Sequence, residues 1–440
     1  MFKKLLTFIM LILVIIGLGI GLYFGFSSDI KKEENVAKDE AIFGNIQSKQ
    51  VEITRFFTYG RCFNFSGTID GISKDNFESA KLYLTDGNGF EKTYKLDGTI
   101  NEGKLIVSTE STINSGLNLD ELEPNEYVVL VRVKTNNSVN PKYYSLANSS
   151  DYPKIEYYTV TKENSNNKVN IEYKNKNYKN NQYTYLGINV EKVDDNSEIN
   201  AYDVVIDAGH GGKDVGEKSG TDTEANIALD YAKLLKQHLE TQGLKVKLTR
   251  DDSNSETYTS TNMYDSNGRI TSACESKAKY MISFHINNGN AGLKGLEIYS
   301  PSKCNLDFAQ NMANKIVAYT GLEYSNNNSF KKGEGVYVRN FTSNVINEYT
   351  NTANKKGYTP YNLTLDTPFL YTIREVGGIA TNAYVDGRNT SYSANKYYNS
   401  NQGIECYQIE MGYIKNDLPI IKSQMEQYIT AISEAIYENL

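Results

Sequence analysis

The chain has 440 residues, with 46 Lys and Arg against 53 Asp and Glu, and a formal net charge of −7. This acidic balance leaves no basic footprint for nucleic acid, so nucleic-acid binding is excluded as a function class. None of the cysteines forms a C-x-x-C pair, which excludes a zinc finger; they are Cys62, Cys274, Cys304 and Cys406.

The chain opens with a short basic segment and a long apolar one. Residues 5–26 are uncharged and strongly apolar, which is long enough to cross a bilayer. The polar residues after 26 offer no small-residue cleavage pattern, so we expect an uncleaved transmembrane anchor over residues 1–27 rather than a signal peptide. Lys3 and Lys4 place the N-terminus inside. The sequence thus predicts a single-pass protein of the cell membrane whose remaining chain, including its catalytic domain, is extracellular and faces the cell wall.

Two segments of different composition follow the predicted anchor. Residues 28–44 are rich in Lys, Asp and Glu and are predicted to be a solvated linker. Residues 45–196 contain short runs of strand character separated by turn signals, which predicts an all-β, sandwich-like domain. The plainest role for this domain is a spacer, and stacking of its tyrosines on glycan is the alternative.

Residues 197–440 are predicted to form an α/β domain with a mostly parallel sheet and flanking helices. Three apolar runs there end in polar, chemically active residues. His210 follows the first run, His285 the second and Glu410 the third. The carboxyl ends of parallel strands meet at one edge of a sheet, where open α/β sheets place their ligands. The runs are residues 204–206, 280–284 and 406–409.

A fourth polar group comes from a predicted helix. Glu224 shares a helical face with Ile227, Ala228 and Tyr231, so its carboxylate should point toward the sheet. A buried carboxylate is costly unless it is paired or binds a metal. Zinc held by His210, Glu224 and His285 would offset that cost and leave one position open for water, as in catalytic zinc sites.

Each of these residues, taken alone, also has an interpretation that involves no metal. Either histidine could be a hydrogen-bonded loop residue, and Glu224 could be an ordinary carboxylate in the first turn of a helix. The third histidine, His238, lies late in the same helix and is predicted to be a surface or boundary residue rather than a ligand.

The ordered motifs resemble the zinc-dependent N-acetylmuramoyl-L-alanine amidases of the Amidase_3 type, over about residues 202–440. The resemblance implies an enzyme that binds Zn²⁺ and cleaves the amide bond between N-acetylmuramic acid and L-alanine of the peptidoglycan stem peptide. Peptidoglycan is then the partner, and protein regulators stay unknown. The motifs are VVIDAGHGGKDVG at 204–216, Glu224, SFHINN at 283–288 and IEMGYIKND at 409–417.

The chemistry assigns roles to two more side chains. Glu410, left off the metal, is the candidate general base and then acid. Arg374 is a second candidate catalytic residue, with a role in orienting a substrate carboxylate or in the transition state, and a structural ion pair with Glu375 or Glu405 is the alternative. Asp207 either orients His210 or forms a turn.

The chain also departs from the family pattern. Ala208 stands where proline is usual and Met411 where threonine is frequent, and an insertion spans about residues 325–404. No ligand or base is replaced, so we expect the chemistry to persist. Lids often come from long, polar loops, so gating of the cleft by the insertion is a hypothesis, and its role is left open. Two other functions stay open: a zinc peptidase acting on the stem peptide, and a non-catalytic wall-binding or scaffolding protein.

Overall fold

The computed structural model describes residues 34–440 apart from several gaps. The predicted membrane anchor at residues 1–27 lies outside the described residues. Among the residues that are described, no helix is long and apolar enough to cross a membrane. The gaps are 60–61, 110–115, 147–154, 160–165, 194–201, 252–267, 302–305, 358–359, 361–362, 366 and 378–403.

Helix α1, at residues 34–43, occupies part of the segment predicted to be a solvated linker. Its last turn carries Ile42 and Phe43, each 3% exposed. Both pack in one apolar cluster with Val128 and Leu130 of the β region. The structure thus corrects the linker prediction for these residues. Most of the segment is charged, but Ile42 and Phe43 are apolar and pack against a sheet of the β region.

The β region consists of antiparallel strands in two sheets. One sheet has the order β1-β2-β6-β5 with β7 beside β2, and the other the order β10-β11-β12-β8-β3-β4 with β9 beside β8. The strands are β1 Glu52–Tyr59, β2 Cys62–Asp70, β3 Phe77–Thr85, β4 Glu91–Lys95, β5 Asp97–Asn101, β6 Lys104–Ser108, β7 Leu117–Asn118, β8 Asn125–Thr135, β9 Lys142–Ser145, β10 Ile155–Thr159, β11 Asn166–Tyr178 and β12 Asn181–Val193, and a 3-10 helix spans Leu119–Glu121.

Both sheets of the β region contribute to one core. Phe63 and Phe65 of β2 face inward together with Leu82 of β3 and Val129 of β8. In β6, Leu105 and Val107 are buried and the residues on either side of them are not, as the two-residue period of a strand requires when one face is covered. Two antiparallel sheets around a shared core form a β-sandwich.

The C-terminal region is an α/β domain around a seven-stranded sheet of order β16-β13-β17-β21-β18-β20-β19. The elements are β13 Val204–Ala208, β14 Lys218–Ser219, β15 Asp222–Thr223, α2 Glu224–Thr241, β16 Val246–Leu248, α3 Arg269–Ser276, β17 Tyr280–Asn287, β18 Glu297–Tyr299, α4 Leu306–Thr320, β19 Lys331–Gly333, β20 Val336–Tyr337, α5 Ser343–Lys355, α6 Tyr371–Gly377, β21 Glu405–Tyr413, α7 Leu418–Ser423 and α8 Met425–Asn439.

The sheet is mixed rather than wholly parallel. Strands β16, β13, β17 and β21 run parallel, and β13, β17 and β21 contain the three predicted apolar runs. Strand β18 pairs antiparallel with β21 and parallel with β20, and β19 pairs antiparallel with β20. Strands β19 and β20 lie within the predicted insertion, so part of that segment forms one edge of the sheet.

Helices cover both faces of this sheet. Odd-numbered Ile409 of β21 packs with α2, α4 and α8 on one face. Even-numbered Cys406 of the same strand packs with α3 and α6 on the other. Because successive side chains alternate between faces, residues 408 and 410 of β21 lie on the α3 and α6 side, as do residues 283 and 285 of β17. This alternation brings His285 and Glu410 to the same face.

Candidate metal centre and active site

His210 lies just after β13 in a backbone conformation that L-residues rarely adopt. Its φ is +59°, and the two glycines that follow have φ of +126° and +62°. This left-handed run turns the chain sharply enough to point the imidazole back over the sheet. The ring Nδ1 lies 3.0 Å from Asp214 Oδ2, and Nε2 lies 2.9 Å from Glu224 Oε1.

Glu224 opens helix α2 and is only 2% exposed. Its Oε1 lies 2.9 Å from His210 Nε2 and 3.0 Å from His285 Nδ1, and accepts a hydrogen bond from the Ile286 amide. Its Oε2 accepts a hydrogen bond from the Glu217 amide. Burial opposes ionisation of this carboxyl, but hydrogen bonds from both imidazoles hold its pKa well below the usual range.

The same contacts act on His210. Burial disfavours its cationic form, but the hydrogen bond and charge of Glu224, with Asp214 beside it, raise the pKa of the imidazole to about 9. The Nε2 atom of His285 is buried and has no hydrogen-bond partner among the described residues.

Two glycines make the close approach of these side chains feasible. A Cβ added to Gly209 would lie 2.5 Å from the Phe284 carbonyl oxygen and 2.5 Å from His285 Cε1. A Cβ on Gly216, whose φ is +64°, would lie 2.5 Å from Glu224 Oε2. Real Cβ contacts are not that short, so both positions are restricted to glycine while the three polar groups converge.

The donor set fits a metal ion. One nitrogen each from His210 and His285 and one carboxylate oxygen from Glu224 all lie within 4.8 Å of one another. Two imidazoles and one carboxylate are a donor set typical of catalytic zinc. The Asp214 carboxylate at His210 Nδ1 is the outer hydrogen-bond partner that ligating histidines commonly have.

Glu410 lies on β21 directly opposite His285 in the parallel register. It is 8% exposed, and its Oε1 accepts a hydrogen bond of 2.8 Å from Gln408 Nε2. Burial raises the pKa of this carboxyl to about 7, with the charge of Glu224 adding to the rise and that of His285 opposing it. Glu410 is therefore a carboxyl of altered acidity on the strand beside a candidate ligand.

A second buried carboxylate, which the sequence reasoning missed, neighbours Glu410. Glu297 of β18 is its antiparallel partner and is fully buried. Its two oxygens accept hydrogen bonds from five neutral donors, which are Asn287 Nδ2, Tyr299 Oη, Ser325 Oγ, Asn327 Nδ2 and Tyr413 Oη. The available signal was a carboxylate between Leu296 and Ile298 in an apolar strand.

The structure does not place Arg374 with the His-Glu-His group. Its side chain is 3% exposed, its Nε donates 2.9 Å to Glu375 Oε1, and its Nη1 donates 2.9 Å to the Phe369 carbonyl. These contacts match the alternative of a structural ion pair. Asp207 does not orient the His210 ring either; that contact is made by Asp214, whose signal was a carboxylate four residues after the histidine.

The pattern of the Amidase_3 family, described as N-acetylmuramoyl-L-alanine amidase, matches residues 204–440. The match covers more than half of the chain. The chain belongs to the Amidase_3 family. This confirms the resemblance predicted from the ordered motifs, and the matched region is the α/β domain that contains His210, Glu224, His285 and Glu410.

Solved structures with similarity to the chain include amidases of this type. Cwp6 from Clostridium difficile aligns over 54% of this chain and 28% of its own length, with 18% identity and a TM-score of 0.34. AmiC2 of Nostoc punctiforme, an N-acetylmuramoyl-L-alanine amidase, aligns over 54% of this chain and 95% of its own, with 20% identity and a TM-score of 0.33.

The catalytic domain of CwlV from Bacillus (Paenibacillus) polymyxa var. colistinus aligns over 54% of this chain and 96% of its own, with 21% identity and a TM-score of 0.33. Membership of the family follows from the match over residues 204–440. No curated protein matches the chain.

Proposed function

We propose that the α/β domain hydrolyses the amide bond between N-acetylmuramic acid and L-alanine in peptidoglycan, with Zn²⁺ held by His210, Glu224 and His285. The observation that carries the proposal is the convergence of these three donors beside Glu410. Membership of the Amidase_3 family supports the choice of bond. Two imidazoles, a carboxylate and a neighbouring free carboxyl are the groups that amide hydrolysis by activated water requires.

When bound, zinc supplies a Lewis acid for the amide carbonyl and lowers the pKa of a coordinated water. Glu410 accepts a proton from the attacking water as its oxygen bonds to the carbonyl carbon. The same carboxyl then donates that proton to the amide nitrogen as the carbon–nitrogen bond breaks, so L-alanine leaves as an amine and the lactyl group of the sugar becomes a carboxylate. Gln408 holds Glu410 in place through its amide.

Digestion of purified peptidoglycan tests the reaction. The products expected are intact stem peptides with a free L-alanine amine and intact glycan strands without peptide, measured by mass spectrometry, with about one zinc per chain measured by elemental analysis. Shortened stem peptides would instead identify a peptidase acting on the same substrate. Binding to the wall with no product would identify a scaffolding protein.

We also propose that the chain is anchored in the cell membrane by residues 1–27, with the enzyme on the wall side. The support is the apolar run at residues 5–26 behind Lys3 and Lys4. The full chain is expected in the membrane fraction, and protease added to wall-stripped intact cells should degrade the α/β domain. Recovery of the chain in the soluble fraction after gentle lysis would contradict the anchor.

A further inference from the structure

Two buried arginines lie against the loop that carries His210. Arg250 follows strand β16 and is 1% exposed, and Arg269 begins helix α3 and is 2% exposed. Both donate to main-chain carbonyls of this loop. Burying a guanidinium is costly unless its donors are used, so the groups that receive these donors indicate what the two residues do.

Arg250 joins two of the elements that carry candidate ligands. Its Nε donates 2.9 Å to the Ala208 carbonyl, and its Nη2 donates 2.9 Å to the Gly209 carbonyl and 2.8 Å to the Ala225 carbonyl. The first two carbonyls precede His210 directly, and the third follows Glu224 directly. One side chain therefore sets the spacing between the His210 loop and the start of helix α2.

Arg269 holds the next carbonyl along the chain. Its Nη2 donates 2.7 Å to the carbonyl of His210 itself, and its Nη1 donates 3.2 Å to Tyr371 Oη. Its Nε lies 3.7 Å from Asp207 Oδ1. Carbonyls 208, 209 and 210 are thus each bound by a buried guanidinium.

Asp207 extends the arrangement to the third ligand. Its carboxylate is fully buried and accepts hydrogen bonds of 2.6 Å from Thr249 Oγ1 and 2.6 Å from Ser283 Oγ. Thr249 is adjacent to Arg250, and Ser283 lies two residues before His285 on the same face of β17. The elements that carry His210, Glu224 and His285 are therefore linked through groups outside the three-donor set.

The His210 loop needs such support. A left-handed φ costs a non-glycine residue about 1–2 kcal/mol, and His210 adopts one at +59°. Its carbonyl and the two before it are received by side chains rather than by a strand. The planar fork of arginine can bind two carbonyls at once, whereas the single ammonium of lysine cannot reproduce that geometry.

We propose that Arg250 and Arg269 are positioning residues that set the zinc affinity of the His210, Glu224 and His285 group by holding the main chain around His210. This inference rests on the zinc site of the proposed function. It goes beyond that function because it assigns the arginines a role in metal binding without metal contact.

The test compares Arg250→Lys and Arg269→Lys with the wild-type full chain. Zinc affinity is measured by competition with a chromogenic chelator, and thermal unfolding is measured on the metal-free protein. We expect each variant to bind zinc about 10–100-fold more weakly, the range found when outer hydrogen-bond partners of metal ligands are removed. Arg339→Lys is the matched control, because the guanidinium of this arginine of the same domain lies over the rings of Phe330 and Phe369.

The outcomes separate a role in zinc binding from a merely structural role. A zinc affinity within about twofold of wild type in both variants, with a lowered unfolding temperature of the metal-free chain, would overturn the inference and leave the arginines a merely structural role. If the lysine variants do not fold, Thr249→Val removes only the hydroxyl that fixes Asp207 and should still weaken zinc binding several-fold; unchanged affinity there would also overturn it. Failure of the wild-type chain to bind zinc would contradict the proposed function instead.

Discussion

Replacing Glu410 by glutamine is expected to lower kcat on peptidoglycan fragments by about 10²–10⁴-fold, the contribution typical of a positioned general acid or base. Glutamine keeps the shape of the side chain but cannot accept the proton of the attacking water. Zinc content should stay near that of the wild type, because Glu410 is opposite His285 without being part of the three-donor group. Release of stem peptide at saturating substrate is the measurement.

Glu405→Gln is the control for this variant. Glu405 lies on the same strand at its amino end, so the substitution tests whether loss of any carboxylate from β21 lowers the rate. We expect kcat close to wild type. Full activity of Glu410→Gln would show that another group transfers the proton, and Glu297, the buried carboxylate beside it, would be examined next.

Substituting Glu224 with glutamine is expected to remove both zinc and activity. The candidate ligand oxygen lies 2.9 Å from His210 Nε2 and 3.0 Å from His285 Nδ1, so it is the central member of the group. Glutamine removes the negative charge that offsets a divalent cation. Zinc affinity should fall by more than about 100-fold, exceeding the usual effect of losing an outer partner, and peptide release should fall in parallel.

Asp230→Asn separates metal loss from helix damage. Asp230 lies on the same helix α2 and faces solvent, so this variant should keep zinc and activity. Thermal unfolding of metal-free Glu224→Gln should show a folded chain. A variant that retained about one zinc per chain with wild-type affinity would remove Glu224 from the ligand set.

The convergence of the three candidate ligands and Glu410 was predictable from the sequence, because it follows from the periodicities of strands and helices. His210 follows β13, and His285 and Glu410 lie near the carboxyl ends of β17 and β21. Parallel strands bring such positions to one edge. Glu224 shares a helical face with apolar residues, which directs it to the sheet. The strand rule and the helix rule both depend only on residues close in sequence, so one amino-acid sequence is enough to apply them.

The partners of these residues were harder to predict because they depend on loop geometry. Asp207 and Asp214 both lie near His210 in sequence, and only the left-handed turn at residues 210–212 decides that Asp214 reaches the ring. Glu297 gains its five donors from four separate segments. Arg374 is paired with its neighbour Glu375, which a spacing argument could not distinguish from a role in substrate binding.

The strands within the predicted insertion were also hard to predict from the sequence. Strands β19 and β20 have three and two residues, which is too short for a two-residue period to be visible. Strand β20 pairs with β18, which is itself a three-residue strand, and β19 pairs with β20. Helix α1 was not predicted either, because Ile42 and Phe43 at its end are the apolar residues that distinguish it from a solvated segment.

Strand β21 is the last strand in the chain but occupies an inner place in the sheet, between β17 and β18. The ligand residues are all synthesised before it, whereas Glu410 arrives with it. An incomplete chain therefore has two unpaired strand edges where β21 should be, and unpaired edges favour aggregation. Completion of the sheet and arrival of Glu410, the proposed proton acceptor, are therefore one event, so a chain that ends before β21 lacks both.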